Sequence, residues 1–253
     1  MNDAENDSRN RPWIALFSGG KDSSWALHRA CASGRIIYRL VTARPQGDSY
    51  LFHTPALALV PLLADQTGIP LESFDIESVN TDDVGDSTAH GDREGTILSG
   101  VVGTLDRAVP TGLGGIVSGA VASQFQRDRI DTICAEYGLD HYAPLWNCDP
   151  EQTLCDMLDA GFDIRIVAVA AAGLDQSWLG RRLDRAALSE LIELRERHGM
   201  HLMGEGGEYE TIVVAGPHLA NPIRYEAVDR WDGQRGHQEI TNAWVETTDD
   251  DFP

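Results

Sequence analysis

Six consecutive residues, Ser18-Gly19-Gly20-Lys21-Asp22-Ser23, have the chemistry needed to hold a pyrophosphate group. Gly19 and Gly20 lack a Cβ, so the backbone can turn tightly and approach a ligand closely. A helix beginning here leaves its first N–H groups unpaired and aimed into the turn, where an anion satisfies them. Ser18, Ser23 and Ser24 offer hydroxyls, and Lys21 offers a compact charge suited to phosphate oxygens. Asp22 can cap the helix or help hold Mg²⁺, which takes one or two carboxylates alongside substrate phosphates. The spacing matches neither Gly-x-x-x-x-Gly-Lys-[Ser/Thr] nor Gly-x-Gly-x-x-Gly. Lys21 is the only lysine among 20 basic residues, the rest being arginine. An ammonium is specifically required there.

A second group of carboxylates lies far along the chain, in Gly204-Glu205-Gly206-Gly207-Glu208-Tyr209-Glu210. In an acidic protein this segment reads either as a solvated loop or as a site whose glycines admit a ligand to the backbone. On the second reading Glu205 and Glu208 orient a cationic group or ammonium, or share a Mg²⁺. Glu210 points less clearly, because a strand begins beside it. His53 either contacts nucleotide or satisfies a helix start. His90, in a polar stretch, and Glu77, at a strand end, are weaker cleft candidates.

The elements that must position these residues follow from periodicity. Trp13 to Phe17 is a short apolar run, and Asp22 to Ser33 recurs at helical spacing. Ile36–Ala43 and Leu71–Ile76 read as strands, separated by a helix that Thr54 caps and Pro55 starts. Asn80–Arg93 reads as a loop and Glu94–Ala108 as a helix weakened by three glycines. Gly115–Gly119 carries a strand and Ala122–Tyr137 a helix. Strand then helix, four times over, implies right-handed crossovers and a parallel sheet covered by helices on both faces. Beyond Gly138 the pattern changes to helices at Glu151–Ala160 and Arg182–His198, with strands at Phe162–Ala171, Thr211–Val214, Arg224–Arg230 and His237–Glu246. The expected organisation is an α/β nucleotide-binding domain over 12–140 and a smaller α+β substrate-binding domain over 141–247. Flexible polar ends are expected at 1–11 and 248–253.

Composition limits the function classes. The chain has 253 residues, 42% of them hydrophobic, enough for one substantial core with a smaller lobe. No apolar stretch reaches the roughly 18 residues of a membrane span, and the polar start does not resemble a secretory signal, so a cytoplasmic protein is expected. Its four cysteines form no Cys-x-x-Cys pair, which argues against structural zinc or a dithiol centre. Forty acidic residues give a formal net charge of −20. That is well beyond the magnitude of about 2–8 usual for small domains. It removes the positive argument for nucleic-acid binding, which needs a basic patch. It also suggests a high-salt cytoplasm, because molar salt screens self-repulsion to about 3 Å.

Ser18–Ser23 resembles the PP-loop of the adenine-nucleotide α-hydrolase-like superfamily, whose members split ATP between the α- and β-phosphates. Several further segments resemble one branch, the diphthine–ammonia ligases. These are Leu16–Ser23, Ser49–His53, Gly119–Gln126, Pro144–Trp146, Trp178–Arg181 and, most specifically, Gly204–Thr211. The likeness covers roughly residues 12–217. It departs at Asp48 and Leu51, where the branch often has Asn and Met, and at Gln124-Phe125, where it often has Glu-Tyr. The resemblance implies a HUP-like PP-loop domain and an ATP- and Mg²⁺-dependent ligase. Its protein partner would be translation elongation factor 2 carrying diphthine, and ammonium would supply the nitrogen. Lys21, Glu205 and Glu208 would be catalytic. Ser18, Gly19, Gly20, Lys21, Asp22, Ser23, Ser24 and His53 would bind nucleotide, with Asp22 on the metal. The trimethylammonium of diphthine calls for aromatic faces, for which Tyr209, Trp178 and Trp146 are candidates. Competing readings are another PP-loop ATP-pyrophosphatase acting on a small acid or a tRNA, and a nucleotide-binding regulator that forms no AMP.

The charge reading makes a direct prediction. The thermal midpoint is expected to rise between ~0.1 M and molar salt as self-repulsion is screened. Scanning calorimetry at the two concentrations checks it, and equal midpoints would refute it.

Overall fold

In Trp13-Ile14-Ala15 alternate side chains enter different cores, and the architecture grows from that alternation. The computed structural model describes residues 8, 10–46, 55–77 and 87–247. Its first half runs β1 (Trp13–Leu16), α1 (Lys21–Ala32), β2 (Ile37–Gln46), α2 (Val60–Thr67), β3 (Leu71–Glu77), α3 (Ser87–Ala108), β4 (Gly115–Val117), α4 (Gln124–Tyr137) and β5 (Asp140–Tyr142). A 3₁₀ turn at Pro55–Leu59 leads into α2. These strands form one sheet in the order β3-β2-β1-β4-β5, every pair parallel. The chain winds from β1 outward to β3, then restarts at β4 on the other side of β1. The strand order therefore reverses between β1 and β4, where α/β sheets open a ligand crevice beyond their strand ends.

One face of this sheet is covered by α3 and α4. Ile14, Val41 and Ile116 meet Val102 and Leu105 of α3 and Ile130 and Ile133 of α4. The glycines of α3 permit this packing: a Cβ on Gly103 would lie 2.6 Å from the Tyr137 hydroxyl. On the other face Trp13, Ala15, Leu40 and Val117 join a larger core with α1, α2 and the second half of the chain.

That second half runs α5 (Pro150–Asp159), β6 (Asp163–Val169), a 3₁₀ turn at Gln176–Trp178, α6 (Arg185–His198), β7 (Tyr209–Ala215), β8 (Ile223–Trp231) and β9 (Gly236–Val245). Its strands make an antiparallel sheet in the order β7-β6-β9-β8. Phe162, just before β6, is 1% exposed, and its ring meets the edge of Trp25 on α1 at 5.4 Å. It also stacks on His218 at 5.0 Å. The two sheets thus share a core.

Three details differ from the sequence expectation. β5 is an unforeseen fifth parallel strand, because Asp140-His141-Tyr142 carries no apolar run. Residues 87–93, expected within a loop, form the first turns of α3. Leu98, Val101, Val102 and Leu105 anchor that helix in or against the core, and once nucleated it extends through polar sequence. Ser8, within the expected loose end, is buried, and its carbonyl accepts from the Trp13 indole at 3.0 Å. Among the described residues no helix is long and apolar enough to cross a membrane.

Because Phe162 joins the two halves, Phe162→Ala is expected to cost about 3–5 kcal/mol of unfolding free energy. Urea denaturation checks this, and a cost below about 1 kcal/mol would contradict the shared core.

Candidate functional site

The turn after β1 is shaped by two constraints. Gly19 has φ +77°, and a Cβ there would lie 2.7 Å from Leu63 Cδ1. Ser23 closes the turn from inside: its Oγ accepts from the Ser18 N–H at 3.2 Å, lies 3.1 Å from Ser18 Oγ, and can donate to the Gly20 carbonyl at 3.2 Å. α1 then starts at Lys21 with no side-chain cap. By contrast α4, α5 and α6 are capped by Ser123, Asp149 and Asp184. α2 likewise lacks a side-chain cap, but the α1 start borders the turn, where the positive end of the helix favours an anion.

The Gly204–Thr211 segment sits directly against this turn. The Lys21 N–H donates to Thr211 Oγ1 at 3.1 Å, and the Val213 N–H donates to the Gly19 carbonyl at 2.9 Å. The Lys21 side chain is 3% exposed; its ammonium donates to the Met203 carbonyl at 2.6 Å and to Asp22 Oδ2 at 2.8 Å. It also lies 5.3 Å from the Tyr209 ring centroid. The lone lysine thus bridges the two motifs instead of reaching freely into the crevice. Buried Asp22 Oδ1 has no hydrogen-bond partner, and neither has buried Ser24 Oγ.

Glu205 and Glu208 have different surroundings. Burial pushes the Glu205 carboxyl above its ordinary range, and the nearby Asp22 charge pushes it further. The Ala122 N–H and the Lys21 ammonium act the other way. Glu205 therefore belongs electrostatically to the Lys21–Asp22 pair. Both Glu208 oxygens accept from backbone, one from the His201 N–H at 2.6 Å and one from the Gly206 N–H at 2.7 Å. Glu208 holds the glycine-rich turn in shape. Glu210 points to the exposed side of β7.

The crevice at the β1/β4 reversal has a volume of about 570 Å³. Ser18, Asp22 and Ser23 line it at the turn, and apolar Val41, Phe74 and Phe125 line it further out. Phe125 is 56% exposed at the rim, with the Arg129 guanidinium 5.3 Å from its ring. Ser118 and Gly119 line it beside the turn. A Cβ on Gly119 would lie 2.8 Å from the Asp22 and Ser23 backbone, so this wall abuts the start of α1. A pocket of this size, apolar on one side and polar on the other, suits a nucleotide.

Of the expected aromatic faces, Tyr209 and Trp178 are buried core residues, with the Tyr209 hydroxyl donating to the Leu202 carbonyl. Arg181 lies 4.3 Å from the Trp178 ring centroid and Arg127 4.5 Å from that of Trp146. All three rings already carry a cation from their own chain. His53 lies outside the described residues. So do the side chains of His90 and Glu77, although their backbones fall in α3 and β3. Among the described residues no group of three or more His, Cys, Asp or Glu gathers to hold a metal. A Mg²⁺ here would therefore use the orphan Asp22 oxygen together with phosphates and water.

Sequence reasoning missed Thr211 as the acceptor for Lys21, although the residue ended a motif already singled out. It also missed Ser118, whose hydroxyl lies 2.7 Å from His141 Nε2 on β5. An unforeseen strand hid that partner.

Comparison with known proteins matches residues 12–141 to the diphthamide synthase N-terminal domain and residues 149–245 to the diphthamide synthase C-terminal domain. A diphthine–ammonia ligase of Danio rerio is 33% identical over 230 residues, covering 85% of this chain and 87% of that protein. The human diphthine–ammonia ligase is 33% identical over 219 residues, covering 80% and 78% respectively. One from Saccharomyces cerevisiae is 31% identical over 81% of this chain, but only 33% of that longer protein is covered.

The Glu205 environment predicts a pH-dependent stability difference. A carboxyl raised in the folded state contributes most favourably below its unfolded pKa, and that contribution is lost as pH rises through the folded value. Glu205→Gln removes the loss, so its melting temperature should exceed the parent's at pH 7, with the gap narrowing toward pH 4. A gap that does not change with pH would contradict the assigned environment.

Proposed function

This chain belongs to the diphthamide synthase family, and from that premise we propose that it is a diphthine–ammonia ligase working at the β1/β4 crevice. It would amidate diphthine on translation elongation factor 2 at the expense of ATP. The observation that carries this reading is the direct contact between the pyrophosphate-type turn and the segment Met203–Val213 that contains Gly204–Thr211, made by Lys21 with Met203 and Thr211 and by Gly19 with Val213. An ATP-cleaving turn and an acid-rich substrate segment are thereby joined in one site.

In the first half-reaction the diphthine carboxylate attacks the α-phosphorus of ATP, forming an acyl adenylate as the bond to pyrophosphate breaks. Negative charge gathers on the departing pyrophosphate beside the uncapped start of α1, whose N–H groups and positive dipole end favour it. The buried Lys21 ammonium, paired with Asp22 on the first turn of that helix, offsets carboxylate charge beside this position. Mg²⁺ on Asp22 would supply further charge neutralisation. In the second half-reaction ammonia attacks the activated carbonyl and AMP departs. Glu205, already close to Asp22 and Lys21, is placed to attract the cationic end of the substrate or ammonium. Glu208 serves by keeping Gly204–Gly207 in register. The apolar wall around Val41 and Phe74 would take the adenine, and a translation-factor substrate would suit a cytoplasmic protein.

Incubation with α-labelled ATP, ammonium and diphthine-bearing factor should yield AMP and amidated factor only when all three are present. Formation of ADP, or of AMP without the factor, would overturn the reading. Lys21→Ala should abolish AMP formation. Lys21→Arg should lose at least about tenfold, because a planar guanidinium does not replace a compact ammonium in a closed pocket. Wild-type rates for Lys21→Arg would remove the requirement for an ammonium.

A further inference from the structure

Ser118, His141 and Asp131 stand in line from the crevice wall to the surface. Ser118 lines the crevice and is 2% exposed. Its Oγ lies 2.7 Å from His141 Nε2, and His141 Nδ1 lies 2.6 Å from Asp131 Oδ1 on α4. The His141 side chain is 7% exposed and that of Asp131 43%.

The hydrogen-bond directions in this line are determined by the chemistry of its members. Burial keeps the imidazole pKa below its ordinary value against the pull of Asp131, with Arg127 also lowering it, which favours the neutral ring. A neutral ring has one N–H, and the nitrogen facing the ionised Asp131 must carry it. Nε2 is then an acceptor, and the Ser118 hydroxyl must donate to it. Ser118 Oγ then has only lone pairs left to offer a ligand in the crevice that the residue lines. The arrangement has the base and orienting carboxylate of a general-base system, with a hydroxyl interposed between base and ligand.

We propose that Ser118, His141 and Asp131 form a proton relay that removes the proton released when ammonia adds to the acyl adenylate. This rests on the ligase reading above, because that reaction creates the need. The nitrogen lone pair forms the C–N bond, and the carbonyl π pair moves onto oxygen. The nitrogen then carries a positive charge and one proton too many. That proton passes to Ser118 Oγ as the serine's own proton passes to His141 Nε2. The tetrahedral centre collapses, the C–O bond to the adenylate phosphate breaks, and AMP leaves. The imidazolium is held by Asp131, whose exposure lets the proton pass to water. Gly119, the next residue, packs on the Asp22 and Ser23 backbone, so the relay begins beside the ATP-cleaving turn.

Comparison of two nucleophiles tests the relay. Hydroxylamine has a far more acidic conjugate acid than ammonia, so its adduct sheds the proton without help. Ser118→Ala and Asp131→Asn are each assayed with diphthine-bearing factor and ATP, using ammonium or hydroxylamine, and the ratio of amide to hydroxamate rates is read. Ser118→Ala should lower that ratio by about a hundredfold, in the range typical of general-base catalysis. Asp131→Asn, at a partly exposed position, should lower it in the same direction by favouring the wrong imidazole tautomer. Loss of both rates in equal proportion, or an unchanged ratio in either variant, would overturn the relay. Failure of the wild-type chain to form either product would instead overturn the ligase reading beneath it.

Discussion

The buried ammonium of Lys21 is the interaction on which the rest of the site depends. A desolvated charge is tolerated only when it is paired and hydrogen-bonded. Here the partners come from two directions: Asp22 on the same helix and the Met203 carbonyl in the second half of the chain. The neighbouring backbone follows the same route, from Lys21 to Thr211 and from Val213 to Gly19. Satisfying one lysine thus brings Gly204–Thr211 onto the pyrophosphate-type turn. Removing the lysine would leave Asp22 beside Glu205 with no cation between them. Elsewhere every basic residue other than histidine is arginine, in exposed ion pairs such as Arg230–Glu239 and against aromatic rings such as Trp178. The site at residue 21 demands shape as well.

Much of this was legible in the sequence, for definite reasons. Trp13–Leu16 alternates between two cores, so β1 was readable, and a glycine turn before an amphipathic helix leaves few alternatives. Val41 and Ile116 announced their strands in the same way. What stayed hidden depended on contacts between distant residues. Asp140-His141-Tyr142 becomes a strand only because β4 lies beside it, and nothing local signals that. The start of α3 was obscured because its first turns are polar, while its anchor lies further along at Leu98–Leu105. Within Gly204–Glu210 the sequence could not distinguish two similar carboxylates. Only the fold shows that Glu208 binds backbone on both oxygens while Glu205 faces the charged pair.

Lys21, Asp22 and Glu205 divide an awkward electrostatic load. Two carboxylates and one ammonium leave a local negative excess: burial first and the Asp22 charge second raise the Glu205 carboxyl, and one Asp22 oxygen has no hydrogen-bond partner. Such a deficit is stabilised by adding a cation, whether a metal, an ammonium or a quaternary amine. An anionic nucleotide would be repelled by the carboxylates alone, but the positive end of α1 and the residues Ser18 and Ser23 line the same crevice beside Asp22. Cation-seeking and anion-seeking surfaces therefore adjoin along one short helix turn, as a reaction between ATP and a positively charged substrate requires.

The single core beneath both sheets, closed by Phe162 against Trp25 and His218, bears on how this molecule can be dissected. A nucleotide-binding half cut away near residue 145 would expose the face of Trp25 that Phe162 now covers and open the core that Trp13 and Leu40 share with the second half. The pieces are not modules joined by a tether. Evolution or engineering that exchanges one half for another must recreate a matching hydrophobic surface before any new chemistry can be tried, so the two halves should change together.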